Sequence, residues 1–191
     1  MLFENVEVMN ISNAMRGMRN PMNSWDRCDT FDNEIGTNDM ILATKLVRAG
    51  STHRKFMRQI IVSIDITASL NWWRHFDTYK VGVTCNSCSI MHKILSKPIT
   101  IDSFEHRNIP MSYVHYLEDL RQQAVIHDDK EKFDSLVDGL PSAYLQKRSV
   151  TLNYEVLWNI YHTRRGERLR DWQQFIEWID TLPYNNLIKE G

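Results

Sequence analysis

The amino-acid sequence predicts an α+β fold, mostly helical with a small central sheet. Asp39–Ala49, Ser112–His127 and Arg168–Ile179 repeat apolar residues at helical spacing, whereas only Gln59–Ile66 alternates cleanly as a strand. The 191 residues are 42% hydrophobic and 25% charged, enough for one sizeable core. No linker rich in Gly, Pro or Ser divides them, so residues 1–191 read as a single domain.

Val6–Ile11 alternates apolar residues over a short length and reads as a strand. Asn13–Met22 mixes Met, Arg and Asn, and Pro21 argues against a helix running through it. Asn38 is placed to cap a helix over Asp39–Ala49, with Met40, Ile41, Leu42, Leu46 and Val47 in register and Gly50 as its stop. In Gln59–Ile66, Ile60, Val62, Ile64 and Ile66 alternate with Ile61, Ser63 and Asp65. Both faces are partly apolar, as for a strand inside a covered sheet. Ser69–Phe76 reads as a short aromatic helix capped by Thr67 or Ser69, and Tyr79–Ser87, with Gly82 among small and β-branched residues, as a loop. Ser89–Leu95 reads as helical, stopping before Pro98. Ser112–His127 places Tyr113, Tyr116, Leu117, Leu120 and Ala124 on one helical face. Lys130–Val137 is a further short helix, broken by Gly139 and Pro141. Leu152–Tyr161 and Arg168–Ile179 form a last helix pair, with Leu169, Trp172, Ile176 and Ile179 at helical spacing.

Composition narrows the function classes. Twenty-three basic and 24 acidic residues nearly cancel, so no global attraction to nucleic acid or membranes is expected. No apolar run approaches the roughly 20 residues of a membrane span. Met1-Leu2-Phe3-Glu4 lacks the basic start of a secretory signal, which makes a cytoplasmic location the expectation. Cys28, Cys85 and Cys88 are too few for a disulfide scaffold. Cys85 and Cys88 form a CxxC, but no second CxxC or ordered His pair completes a zinc site. The seven histidines are scattered, so no metal is expected, and no GxGxxG, P-loop or GxSxG occurs.

Two segments carry chemical interest. Trp72, Trp73, Phe76 and Tyr79 form a dense aromatic cluster, read first as core and alternatively as a stacking surface for a flat ring, with Arg74 and Lys80 near enough to serve phosphates. Thr78–His92 then packs Thr84, Asn86, Ser87 and Ser89 behind Lys80 and Gly82. Small hydroxyl and amide side chains on a Gly-bearing loop approach a polar ligand closely.

On these residues the chain resembles the flavin-dependent thymidylate synthases. That family's signature is Arg-His-Arg-x-x-Ser-x-Asn-Glu-x-Ser-x-Arg-Tyr. Laid on Tyr79–His92, it puts Thr84 on the first Ser, Asn86 on the Asn, Ser89 on the second Ser and Lys80 on the His. Tyr79 and Val81 replace its first two arginines, Ser87 replaces Glu, and Met91 and His92 replace Arg and Tyr. The family order of helix, Gly, strand, short helix and signature matches Asp39–Ala49, Gly50, Gln59–Ile66, Ser69–Phe76 and Tyr79. The family's later Leu-Pro, Asn-x-Arg-x-Leu and helix-ending Arg fall on Leu140-Pro141, Asn153 to Leu157 and Arg164. Glu155 stands where the family has Arg. The final Ala-Gln-x-Glu-Ile-Arg helix has a loose counterpart around Leu169–Phe175, so no catalytic residue is assigned.

The resemblance implies a homotetramer with nucleotide sites shared between subunits. It implies FAD and dUMP as ligands, NADPH and methylenetetrahydrofolate as co-substrates, and dTMP as product. With Arg74 from beside the aromatic cluster, the nucleotide- or cofactor-binding candidates are Arg74, Tyr79, Lys80, Thr84, Asn86, Ser87, Ser89, His92, Asn153 and Arg164. The lost arginines would have paired phosphates, and Glu155 reverses a charge, so other cations must compensate. Arg74, Arg148, Arg164, Arg165, Arg168 and Arg170 are available. Three functions follow. One is a divergent enzyme of this type acting on a pyrimidine deoxynucleotide. Another is an inactive protein that holds or sequesters a nucleotide, of a small compact kind that suits a phage genome. The third is a helical interaction protein without a small ligand.

Overall fold

The computed structural model describes residues 1–190. β1 (Leu2–Met9) is followed by α1 (Ile11–Met18), α2 (Thr37–Arg48), β2 (Ile61–Ser69), α3 (Leu70–Phe76), β3 (Thr84–Ser87), α4 (Ile90–Lys93) and α5 (Met111–His127). Then come α6 (Lys130–Asp138), β4 (Leu145–Asn153), α7 (Tyr154–Arg164), α8 (Arg170–Ile179) and α9 (Asn185–Lys189). The fold is therefore mostly helical, around one four-stranded sheet of order β1-β2-β4-β3. The Tyr154 amide donates to the Ile60 carbonyl and the Leu70 amide to the Tyr144 carbonyl, so β2 and β4 run antiparallel.

The chain divides into two compact units. One comprises Met1–Leu2, Ile66–Thr78 and Asn86–Arg148. The other comprises Phe3–Asp65, Tyr79–Cys85 and the chain from Ser149 onward. Within the first, Val114, Leu117, Leu120 and Leu136 pack with Ile94, Ile99 and Phe104, and Trp72, Trp73 and Phe76 are fully buried. Trp72 stacks on Phe76 at 4.8 Å and Trp73 meets both edge-on, so this cluster is core rather than a stacking platform. Arg148 lies over Trp73 and pairs with Asp77.

β2 follows the sequence expectation closely. Val62, Ile64, Ile66 and Ala68 are buried and the alternate residues half-buried, as fits a strand flanked on both sides. It runs to Ser69, whose hydroxyl accepts from the Trp72 amide and so caps α3, a role Thr67 does not take. Gly50, at φ +101, follows α2 in the left-handed conformation that stops a helix.

Other elements depart from expectation. The first strand lies earlier, at Leu2–Met9 instead of Val6–Ile11. α1 forms where Pro21 argues against a helix, because Ile11, Ala14, Met15 and Met18 share a buried face and Pro21 comes only after the helix, in a 3-10 turn. Asn38 is not a cap, since α2 starts at Thr37. Asp29 caps it from a distance, accepting from the Asn38 and Asp39 amides. Asp29 comes so close that a Cβ on Gly36 would lie 2.3 Å from it. The 79–87 loop ends in β3, a sheet edge. Ser89 caps α4, which stops at Lys93 before a 3-10 turn. On α5 the buried face is Val114, Leu117, Leu120 and Ala124, while Tyr113 and Tyr116 stack on each other toward the outside. Leu152–Tyr161 is not one helix. Leu152 belongs to β4, where Val150 and Leu152 alternate inward, and Asn153, its last residue, caps α7. α8 starts two residues later than expected, at Arg170, and buries Trp172, Phe175, Trp178 and Ile179.

Candidate functional site

The turn Arg54–Gln59, a 3-10 segment between α2 and β2, has a cleft on either side, both within the second unit. Its burial pattern explains this. Phe56 and Met57 anchor it in the core, leaving Arg54, Lys55, Arg58 and Gln59 to line the clefts.

The smaller cleft, about 360 Å³, lies at the start of α7. Its lining includes Arg54, Arg58, Gly82, Asn153, Glu155 and Trp158. Arg54 Nε donates to both Glu155 oxygens at 3.1 Å, with Arg58 at 4.0 Å. The Arg54 guanidinium also lies 3.5 Å over the Trp158 ring, a cation–π contact that fixes its plane. Asn153 Oδ1 accepts the Val156 amide at 3.0 Å, capping α7. Gly82, at φ +77, passes so near that a Cβ would meet Asn153 Nδ2 at 2.9 Å.

The larger cleft, about 890 Å³, lies between α1, α2 and the turn. Met18, Leu42, Leu46 and Phe56 give it apolar walls, and Arg27, Lys45, His53 and Lys55 stand exposed around it. No Asp or Glu among the described residues lines it. It is therefore a basic, partly apolar cavity, suited to an anion with an apolar body. Beneath it runs a buried ion pair, Arg19 Nε to Asp39 Oδ1 at 2.6 Å. Asp39 Oδ2 accepts from the Thr30 amide and hydroxyl, the Asp29 amide and Cys28 Sγ. Burial pushes the Asp39 carboxyl up, but these bonds from Thr30, Cys28 and Arg19 hold it below the ordinary value. Burial pushes the Cys28 thiol up, and the neighbouring Asp39 adds to that.

Of the residues expected from sequence, the structure brings some into pairs. Arg164 Nε donates to the Tyr79 hydroxyl at 2.9 Å, its Nη1 to Glu167 at 2.7 Å, and its guanidinium lies 5.0 Å over Trp172. Burial works against the Arg164 charge, and Tyr79 and Glu167 more than offset it, so its pKa lies above the ordinary value. Asn153 lines the smaller cleft while capping α7. Ser89 is spent as the α4 cap, accepting from the His92 amide. Arg74, Lys80, Thr84, Asn86, Ser87 and His92 are exposed and line neither cleft. The cations that face Glu155 are Arg54 and Arg58, not the six arginines considered from sequence. Sequence reasoning also missed Arg19, Arg27, Lys45 and Lys55. The available signal was the basic run of His53, Arg54, Lys55 and Arg58 just before the best strand.

No protein-family model and no curated protein matches the sequence. Solved structures do match. A flavin-dependent thymidylate synthase from Helicobacter pylori, solved with FAD and dUMP, superposes with a TM-score of 0.78 at 16% identity, over 97% of this chain and 98% of that one. A second structure from the same organism, also with FAD and dUMP, gives 0.77 at 15%, over 98% and 97%. A UMP/dUMP methylase from Streptomyces cacaoi, bound with 5-Br dUMP, gives 0.65 at 11%, over 98% and 94%. Likeness of that extent at so low an identity lies in the path of the backbone, and it leads to one conclusion: this chain has the fold of the flavin-dependent thymidylate synthases.

Proposed function

We propose that this chain binds a pyrimidine deoxynucleotide together with a flavin dinucleotide at the clefts flanking the Arg54–Gln59 turn, and carries out methyl transfer of the dUMP-to-dTMP type. The observation that carries this reading is the larger cleft. Its volume of about 890 Å³ and its acid-free basic lining suit a large phosphorylated ligand, on a fold whose solved relatives hold FAD and dUMP. FAD fits this donor set: Arg19, Arg27, Lys45 and Lys55 would hold its phosphates, and Leu46 and Phe56 offer apolar surface. Bound there, a flavin supplies relay of reducing equivalents, with NADPH as reductant and methylenetetrahydrofolate as carbon donor. The chain's own residues bind and orient. Arg54 and Arg58 offset Glu155, and Asn153 keeps the start of α7 and the Gly82 loop in register. Arg74, Lys80, Thr84, Asn86, Ser87 and His92, exposed and outside both clefts of their own protomer, would reach the nucleotide from a neighbouring subunit of a homotetramer in this reading.

A second reading, a nucleotide held without turnover, is favoured by the Glu155–Arg54 pair and by Tyr79 on Arg164, since Glu155 and Tyr79 stand where the resembled family places arginines. One purification separates the two. Flavin absorbance, and dTMP formed from dUMP with NADPH and methylenetetrahydrofolate, support the first. Colourless protein whose melting temperature rises with dUMP supports the second. A protein that neither carries flavin nor is stabilised by dUMP or FAD would exclude both.

A further inference from the structure

Arg19 is unlike the other cations of the larger cleft. Arg27, Lys45, His53 and Lys55 are exposed, so water already solvates them and each contact they make to an anion is screened. Arg19 lines the same cleft with only 4% of its surface exposed. It makes one ion pair, through Nε to Asp39 Oδ1. Its Nη1 and Nη2 groups take no protein partner among the described residues. Asp39, meanwhile, divides its charge among Arg19, Thr30, Asp29 and Cys28. A buried guanidinium bonded to protein through Nε alone leaves its Nη donors open, and these have the geometry of a fork for two oxygens.

We infer that Arg19 is the anion-recognition residue of this cleft, held in place by Asp39, and that it takes the phosphate of a ligand whose apolar body lies against Met18, Leu42 and Phe56. This rests on the larger cleft being the ligand site of the proposed function. The exposed cations gather the anion and Arg19 fixes it. The site therefore discriminates phosphorylated ligands from their unphosphorylated counterparts, and a lysine in place of Arg19 does not substitute, because it lacks both the fork and the Nε contact to Asp39.

The test uses inorganic pyrophosphate first, then FAD against riboflavin and dUMP against deoxyuridine, on the full chain by calorimetry. In wild type, pyrophosphate should bind, and Arg19→Lys should weaken it at least tenfold. The same change should weaken FAD or dUMP at least tenfold and riboflavin or deoxyuridine less than threefold. Pyrophosphate that fails to bind wild type, or binds Arg19→Lys equally well, overturns the inference. Arg19-dependent pyrophosphate binding without any binding of FAD or dUMP would keep the anion site and remove the proposed function. If Arg19→Lys does not fold, the Arg19 Nε–H resonance of wild type is followed during pyrophosphate titration. A saturable shift supports the assignment, and a static resonance overturns it.

Discussion

Glu155 brings a negative charge to the smaller cleft, and Arg54 meets both of its oxygens while lying over Trp158. The two side chains are only 17% and 11% exposed, so the pair is shielded from the screening that makes surface pairs weak. Removing one partner leaves the other charge partly buried. Glu155→Gln should therefore lower the unfolding free energy by roughly 1–3 kcal/mol in urea denaturation. An unchanged midpoint would show that Trp158 and solvent alone suffice for Arg54. Glu118 presents the same physics as a pH dependence. The Arg121 guanidinium, bonded through both Nε and Nη2, outweighs the opposing effect of burial, and the Ile99 amide and Gln122 add to it, holding the carboxyl down at about 2 from an ordinary 4.5. A depressed folded-state pKa means that the native state binds the proton less readily than the unfolded chain does. This stabilisation, reduced by solvent screening to about 1 kcal/mol for a helix-surface pair, is present above about pH 4.5 and disappears as pH falls toward about 2. Glu118→Gln should remove the part of the acid-unfolding slope in that window. A slope identical to wild type would show that the group is not coupled to folding.

Short elements depend on single contacts, some local and some distant in sequence. β2 hands over to α3 at Ser69, whose buried hydroxyl takes the Trp72 amide at 3.1 Å. Ser69→Ala should lower stability by about 1 kcal/mol, as loss of a helix cap does, and should show in the melting temperature. The loop before β3 is fixed by Gly82, whose left-handed backbone and 2.9 Å approach to Asn153 leave no room for a side chain. Gly82→Ala should cost roughly 1–3 kcal/mol through strain. It should also disturb the α7 cap, since Asn153 must move. Retained stability together with retained nucleotide affinity would mean that the loop tolerates displacement.

For the molecule as a whole, both clefts lie in the unit built from Phe3–Asp65, Tyr79–Cys85 and the chain from Ser149 onward, and the α5–α6 pair lies in the other. Ligand at 100 times its Kd should stabilise the chain by about 2.7 kcal/mol. The accompanying hydrogen-exchange protection should fall on residues 17–59, with α5 and α6 little changed. Protection confined to α5 and α6 would move the site elsewhere. Because β2, β3 and β4 each pass along the chain from one unit to the other, we also expect a single domain that unfolds in one cooperative transition. Two resolved calorimetric peaks would divide it. No helix among the described residues is long and apolar enough to cross a membrane.

By itself the sequence determined the fold class, the interior strand and the helices α2, α5, α6 and α8, because their apolar periodicity is local and strong. The order of elements around Tyr79–His92, together with a handful of residues there, was enough to point to the fold. Short elements escaped that reading. α1 was hidden behind Pro21, and β4 merged with α7 because a strand running directly into a capped helix leaves no breaker between the two periods. Only tertiary structure decided which cations serve the clefts. Arg19, Arg54 and Glu155 acquire their roles from partners 20 or 101 positions away, and no local pattern encodes such a pairing. Burial decides the rest. The same guanidinium is a solvated surface charge at Arg74 and an enclosed anion receptor at Arg19, and the difference lies in what surrounds it, which exists only once the chain has folded.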